Sequence, residues 1–198
     1  HASFVQPAIQ KLVRDNGFQL KDFDAVSVTA GPGSYTGLRV GLASAKGICY
    51  ALQKPLVLIN TLEVMAQAVL SHDQSTLQRF SLSTLICPLI DARRMEVFTA
   101  TYNSSLQETE SPHALIIDET AFCELLTRQP IIFSGSGAQK LKEVISNPNA
   151  SFPDIQHNAS HLALRALIAY QSNRFADLAY AEPLYVKEFF NPSGNQNK

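Results

Sequence analysis

Cysteine, net charge and long apolar runs are all scarce in this chain of 198 residues. Its three cysteines, Cys49, Cys87 and Cys123, are far apart and flanked by Ile, Tyr, Phe and Leu. They are odd in number and make no zinc pattern, so the reading is buried, reduced thiols in a cytosolic (cytoplasmic) protein. Lys and Arg total 16 against 17 Asp and Glu, a formal net charge of −1. That balance excludes a global pull toward nucleic acid, so any RNA contact needs a local patch or a basic partner. No apolar run is long enough to span a bilayer, and no secretory signal pattern occurs. With 45% hydrophobic residues, the composition fits one globular domain or two small lobes.

Against this background one stretch organises the chain: residues 25–60, AVSVTAGPGSYTGLRVGLASAKGICYALQKPLVLIN. Residues 25–29 are short, apolar and β-branched, as a buried strand is. Gly31, Pro32 and Gly33 stop that strand. Ser34 or Thr36 caps a helix over about 37–52. Residues 56–59 form a second strand whose unbroken apolar character predicts cover on both faces. A strand–helix–strand unit of this length is a parallel crossover. Within the helix, Gly37, Gly41 and Ala45 recur every fourth position, as do Ala43, Gly47 and Ala51. A helical glycine costs about 1 kcal/mol against alanine, so something must offset it. Small residues at this spacing make flat faces: one is expected on the sheet, the other against a partner helix. Arg39, Lys46 and the short apolar run exclude a membrane span, where the same spacing is familiar.

The glycine turn lacks the marks of a nucleotide loop. A Walker loop requires GxxxxGK[ST], and no such Gly-Lys-Ser/Thr occurs. Gly31, Gly33 and Gly37 give GxGxxxG; the next strand ends on Asn60 rather than an acid, and Pro32 removes an N–H. A structural turn is favoured, with a nucleotide contact left as the alternative. Ser34, Tyr35 and Thr36 include hydroxyls, but neither a Ser–His–Asp motif nor a GxSxG elbow is present, so a protease has no support.

The stretch GPGSYTGLRVGLASAKGICYALQKPLVLINTLEVMA closely resembles the signature of the TsaB (YeaZ) family. Residues 91–98, DARRMEVF, resemble that family's DAR-x-x-EVY/F block, and with PLYVKEF near the C-terminus the resemblance covers most of the chain. It implies an α/β fold of the actin-like, RNase H-like (ASKHA) class, two lobes with mixed sheets. Family members carry a strand hairpin before the first helix; those N-terminal strands are absent from this chain, which opens at His1. Pattern alone gives α/β with a mixed sheet.

Residues 1–70 read as an incomplete N-terminal lobe, 71–83 as a linker, 84–190 as the C-terminal lobe and 191–198 as a polar tail. Phe4, Val5, Ala8, Ile9, Leu12 and Val13 keep helical spacing up to Gly17. Residues 61–70 read as an amphipathic helix, 85–91 and 95–102 as strands, 103–110 as a turn and 114–117 as a third strand. Helices are expected over 121–128, 138–145 and 160–170, a strand over 131–133, and irregular chain over 147–155. Leu162, Ala166, Leu167 and Tyr170 are expected to face the core, and 183–189 to be extended. Asp91, Arg93, Arg94 and Glu96 form a solvated hairpin end or a partner contact. Gly135 and Gly137, in SGSGA, form a strand-to-helix turn; the resemblance adds an adenosine contact as the alternative. His157 and His161 are four apart, but no HExxH acid accompanies them, and Asn158 and Ser160 look like caps. His72 and His113 read as solvated.

The resemblance also supplies an absence. Catalytic TsaD relatives carry two metal-holding histidines, in a stretch like NHxEGH, where this chain has Asn60-Thr61-Leu62-Glu63-Val64-Met65. Thr61 and Met65 stand at the ligand positions and make a poor pair for a divalent metal. The resemblance therefore implies a degenerate copy with no catalytic residue, metal or cofactor. The implied function is a non-catalytic scaffold that binds and activates TsaD for threonylcarbamoyl transfer to adenosine 37 of tRNA. The TsaE ATPase would be a further partner, and tRNA would be met only indirectly. The interface is expected on Val5, Ile9 and Leu12 with Gly37, Val40, Gly41, Ser44, Gly47 and Ile48, the same surface forming a homodimer when TsaD is absent. The alternative is a stand-alone actin-like small-molecule kinase or ATPase. That would need an acidic first turn, a second acid and a complete adenosine site, none of which is located.

Overall fold

The computed structural model describes residues 2–72 and 81–187. Most of the expected linker and the whole polar tail lie outside that range. Helix α1 (Ala2–Asp15) keeps Val5, Ala8, Ile9 and Val13 half-buried, while Phe4 and Leu12 are 71% and 66% exposed. The crossover follows as read: β1 (Val26–Gly31), α2 (Tyr35–Leu52) and β2 (Leu56–Asn60), with β1 and β2 paired in parallel. Ser34 Oγ accepts from the Gly37 N–H at 3.4 Å and starts α2. The helix buries Leu42, Ala45 and Cys49 on Leu56, with Val26, Val28 and Leu58 beside them.

Helix α3 (Thr61–Ser71) starts where Asn60 Oδ1 accepts from the Leu62 N–H at 2.8 Å. It is not amphipathic as expected. Leu62, Val64, Met65, Ala66, Ala68 and Val69 are all buried, because α3 is covered by apolar layers on opposite sides. Val64 packs with Val57 and Ile59 of β2; Leu62, Met65, Ala66 and Val69 pack with Ile86 and Ala100 of the second sheet. A helix apolar nearly all round is a buried helix.

The second sheet holds β3 (Leu85–Asp91), β4 (Glu96–Tyr102), β5 (Glu108–Ile116), β6 (Ile131–Ser134) and β7 (Ala150–Ser151), in the order β5-β4-β3-β6-β7. Pairs β3–β4 and β4–β5 are antiparallel, while β3–β6 and β6–β7 are parallel, so the sheet is mixed. Along β3, Ile86 faces α3, while Leu85, Cys87 and Leu89 face the other way. They meet Leu126 of α4 (Cys123–Arg128) and Leu141 of α5 (Ala138–Val144) there. Burial pushes the Cys87 thiol up to about 12, which keeps it unreactive.

Four expectations are corrected. Residues 108–110 continue β5 rather than a turn, pairing Tyr102 with Glu108 and Thr101 with Glu110. Their polar side chains belong to an edge strand, which charge protects. Cys123 is exposed, not buried. Helix α6 (Ala159–Gln171) turns Leu162, Ala166 and Ala169 inward, leaving Leu167 and Tyr170 53% and 37% exposed. And α6 lies on the first lobe, against Val57, Ile59 and Val64, with Arg165 Nε donating to Glu63 Oε1 at 2.6 Å. Ala176 then bridges Leu56, so the first lobe takes up chain from beyond the linear boundary expected at 84. Among the described residues no helix is long and apolar enough to cross a membrane.

Candidate functional site

The three sequence blocks meet in one place. Gly31, at φ +121°, leaves room for the Leu184 carbonyl oxygen, which lies 2.6 Å from where a Cβ would stand. The Leu184 N–H donates to Ala30 O at 2.7 Å. Pro32, buried, and Gly33, exposed, complete the turn. The segment 176–187 therefore runs over the GPG turn as a strap. Lys46 Nζ holds it by donating to Ala181 O at 3.1 Å and Ala179 O at 3.3 Å. Tyr185 lies on Tyr35, ring centroids 5.5 Å apart, and Lys187 Nζ donates to both Glu96 oxygens at 2.7 and 2.8 Å. GPGSYTGLR, DARRMEVF and PLYVKEF are thus tied together across both lobes.

At the hairpin between β3 and β4, Asp91 and Glu96 are anchors. Asp91 Oδ1 accepts from the Arg93 N–H at 2.6 Å and from Lys140 Nζ at 2.7 Å, and the Asp91 N–H donates to Ser136 Oγ at 3.0 Å. Arg93 and Arg94 sit at φ +70° and +48°, and their guanidiniums make no ion pair among the described residues. Lys140, and then the Arg93 N–H, hold the Asp91 carboxyl below the ordinary carboxylate value. A depressed folded pKa contributes stability above the unfolded value and loses it as pH falls through the folded one. Asp91→Asn keeps the acceptor for Arg93 but removes the charge. It is expected to lower stability to urea at neutral pH by less than about 1 kcal/mol, since the side chain is 43% exposed. Variant and parent should converge as pH falls below the lowered folded value. A gap that stays constant down to that pH would contradict the assignment.

Between the lobes the second glycine turn is filled. Gly135, at φ +97°, sits against Met65 Cε and, at 2.6 Å from a would-be Cβ, the Leu89 carbonyl. Gly137 sits as tightly against Val97 Cγ1, and its N–H donates to Leu89 O at 2.9 Å. Thr61, one turn before Met65, has its Oγ buried with no partner among the described residues. Glu63, the acid between them, is engaged by Arg165. A secondary hydroxyl and a thioether packed on a glycine turn are not the donor set of a divalent metal, so these residues do not fit one. His161 Nδ1 accepts from the Asn158 N–H at 3.0 Å, a helix cap, and burial followed by His161 lowers the pKa of His157.

Helix α2 shows two different small faces. Gly41 is close to the sheet, with Val28 Cγ2 3.6 Å from a would-be Cβ. Gly47 has nothing within 4 Å among the described residues, and Gly37 meets only its own cap, Ser34. Gly37, Ala43 and Gly47 are exposed; Val40, Ser44 and Ile48 are half-buried. Leu12 of α1, the helix that packs beside α2, is also exposed. Sequence reasoning missed the strap. PLYVKEF was visible as a block and Lys46 as an odd charge in the helix, but nothing local joins them.

The family model described as TsaD: tRNA N6-adenosine threonylcarbamoyltransferase matches residues 1–188. The tRNA threonylcarbamoyladenosine biosynthesis protein TsaB of Bacillus subtilis (strain 168) is 28% identical over 152 residues, 74% of this chain and 61% of that protein. Its namesake from Escherichia coli (strain K12) is 32% identical over 102 residues, 52% of this chain and 41% of that protein. The chain belongs to this family, in its TsaB (YeaZ) branch. It spans less than two thirds of the length of either relative. A crystal structure titled as an uncharacterized protein with similarity to peptidase YEAZ, from Pseudomonas aeruginosa, superposes with a TM-score of 0.77. At 23% identity it covers 94% of this chain and 84% of that one. The fold is thus the two-lobe, actin-like α/β class.

Proposed function

We propose that this chain is a non-catalytic scaffold that binds and activates a TsaD-type partner for threonylcarbamoyl transfer to adenosine 37 of tRNA. The observation that carries this reading is Met65. The family resemblance puts it where catalytic relatives would carry a metal-holding histidine, and its methyl fills the space beside Gly135. That side of the turn is packed by the protein's own side chain and the Leu89 carbonyl, which supports the scaffold reading over a nucleotide-binding kinase. The bare face of α2 with Leu12 of α1 supplies a docking surface for the partner, and TsaE would join the assembled pair. Without the partner, the same surface would pair two copies of this chain, since such an apolar face rarely stays uncovered.

Reconstitution tests this. A cognate TsaD-type protein with the threonylcarbamoyl adenylate and tRNA should modify tRNA efficiently only when this chain is added. The isolated chain should neither turn over ATP nor hold stoichiometric iron or zinc. Modification that proceeds equally well without the chain, or one tightly bound metal ion per chain, would overturn the reading.

A further inference from the structure

A groove of about 450 Å³ runs between α2 and the strap, lined by Tyr35, Arg39, Ala43, Lys46, Pro183 and Tyr185 among others. Two features of its walls point to a ligand. The first is aromatic. Tyr35 and Tyr185 lie against each other, and each is 41% exposed. Arg39 lies over the Tyr35 ring, 5.2 Å from its centroid, and Arg39 Nη1 donates to Tyr35 Oη at 2.6 Å. That contact extends the platform by a planar cation.

The second feature is uncompensated charge. Lys46 is partly buried, yet its described partners are two carbonyl oxygens, which orient an ammonium without neutralising it. Neither Lys46 nor Arg39 has a carboxylate within ion-pairing distance among the described residues. Glu182 is an acid on the rim, and it is exposed. Beyond the strap, the Lys187–Glu96 pair leads to the hairpin that carries the guanidiniums of Arg93 and Arg94. The chain has no overall positive charge, so these cations form a local patch on a neutral background.

We propose that this groove and the hairpin tip bind single-stranded RNA. Unstacked bases of a tRNA loop would lie on the Tyr35–Tyr185 platform, and their phosphates would meet Arg39, Lys46, Arg93 and Arg94. Partly exposed aromatic residues interleaved with cations suit bases and phosphates together. An acidic peptide would use the cations and leave the rings idle, and a duplex would keep its bases stacked away from them. The geometry leaves room for a protein partner. At 3.6 residues per turn, Tyr35, Arg39, Ala43 and Lys46 lie roughly 120° around α2 from Gly37, Val40, Ser44 and Gly47. A partner on the small face would meet the groove at Ala43 and leave Tyr35, Arg39 and Lys46 farther round the helix. The inference rests on the proposed tRNA function and replaces the expectation that tRNA is met only indirectly.

The test uses the chain in complex with its cognate TsaD-type protein. Ultraviolet crosslinking to unmodified tRNA, with peptide mapping, should place nucleotides on the peptides holding Tyr35 or Tyr185. An Arg39→Gln, Tyr185→Ala double variant should bind tRNA about tenfold more weakly, with a shallower salt dependence and unchanged affinity for the partner. Tyr185→Phe, which keeps the ring, should bind as the parent does. The inference is overturned if crosslinks fall only on the partner, or if the double variant keeps parental tRNA affinity and salt slope. Polyglutamate that binds the groove, with no crosslink to RNA, would assign the site to an acidic protein surface instead. Loss of the proposed function reads differently: modification would then not depend on this chain at all.

Discussion

A Gly47→Leu protein is expected to fold as the parent does and to lose its partner. Nothing described lies within 4 Å of a Cβ built at Gly47, and the position is exposed, so the isolated fold offers no close neighbour to a side chain there. Helix propensity even favours the change by about 0.8 kcal/mol. A partner helix seated on the small face would instead meet a branched side chain where it approaches most closely. Overpacking of about 1–3 kcal/mol corresponds to a roughly 5- to 150-fold loss of affinity. Gly41→Leu is the contrasting case. Its Cβ would stand at ordinary contact distance from Val28 Cγ2, 3.6 Å, so any cost of the further carbons falls on packing against β1 and hence on folding. Its melting temperature should drop, while partner binding by the folded fraction is largely kept. Calorimetry on each variant and titration with the cognate partner separate the two. If both variants fold normally, bind with parental affinity and support tRNA modification, the small face is not an interface.

Gly135→Ala should be the most damaging single substitution in the chain. The residue sits at φ +97°, which L side chains rarely adopt, and that alone costs about 1–3 kcal/mol. The new Cβ would also run into Met65 Cε and stand 2.6 Å from the Leu89 carbonyl. The thioether can swing away, but the carbonyl belongs to a central strand. Together the terms approach a large share of the roughly 5–15 kcal/mol that holds a typical domain. The variant is expected to unfold well below the parent or to fail to accumulate. Met65→Ala removes only the flexible part of the clash and carries its own cavity cost of about 2–5 kcal/mol. The double variant should therefore be less destabilised than the sum of the singles, the mark of a direct contact. A Gly135→Ala protein with the parental melting temperature would mean that the lobes are not closed on this turn.

Much of the chain was legible because its signals are local. The Ser34 cap, the β1–α2–β2 crossover and the alternation along β4 each depend on residues within a few positions. Their periods and capping chemistry determine the element without outside help. That Thr61 and Met65 make a poor metal-ligand pair was equally visible, since residue type settles ligand chemistry. Other features needed the tertiary structure. The α3 sequence alternates enough to read as amphipathic, and only its placement between two apolar layers shows that both faces are buried. The apolar stripe of α6 has the same period whichever lobe it covers, so periodicity did not place it on β2 or set which residues face in. Lys46 and Ala181, Tyr35 and Tyr185, Gly31 and Leu184, and Met65 and Gly135 are pairs with no mutual trace in the sequence. Hydrophobic pattern and propensity report what a residue wants of its surroundings; which distant residue supplies those surroundings is decided when the chain closes on itself.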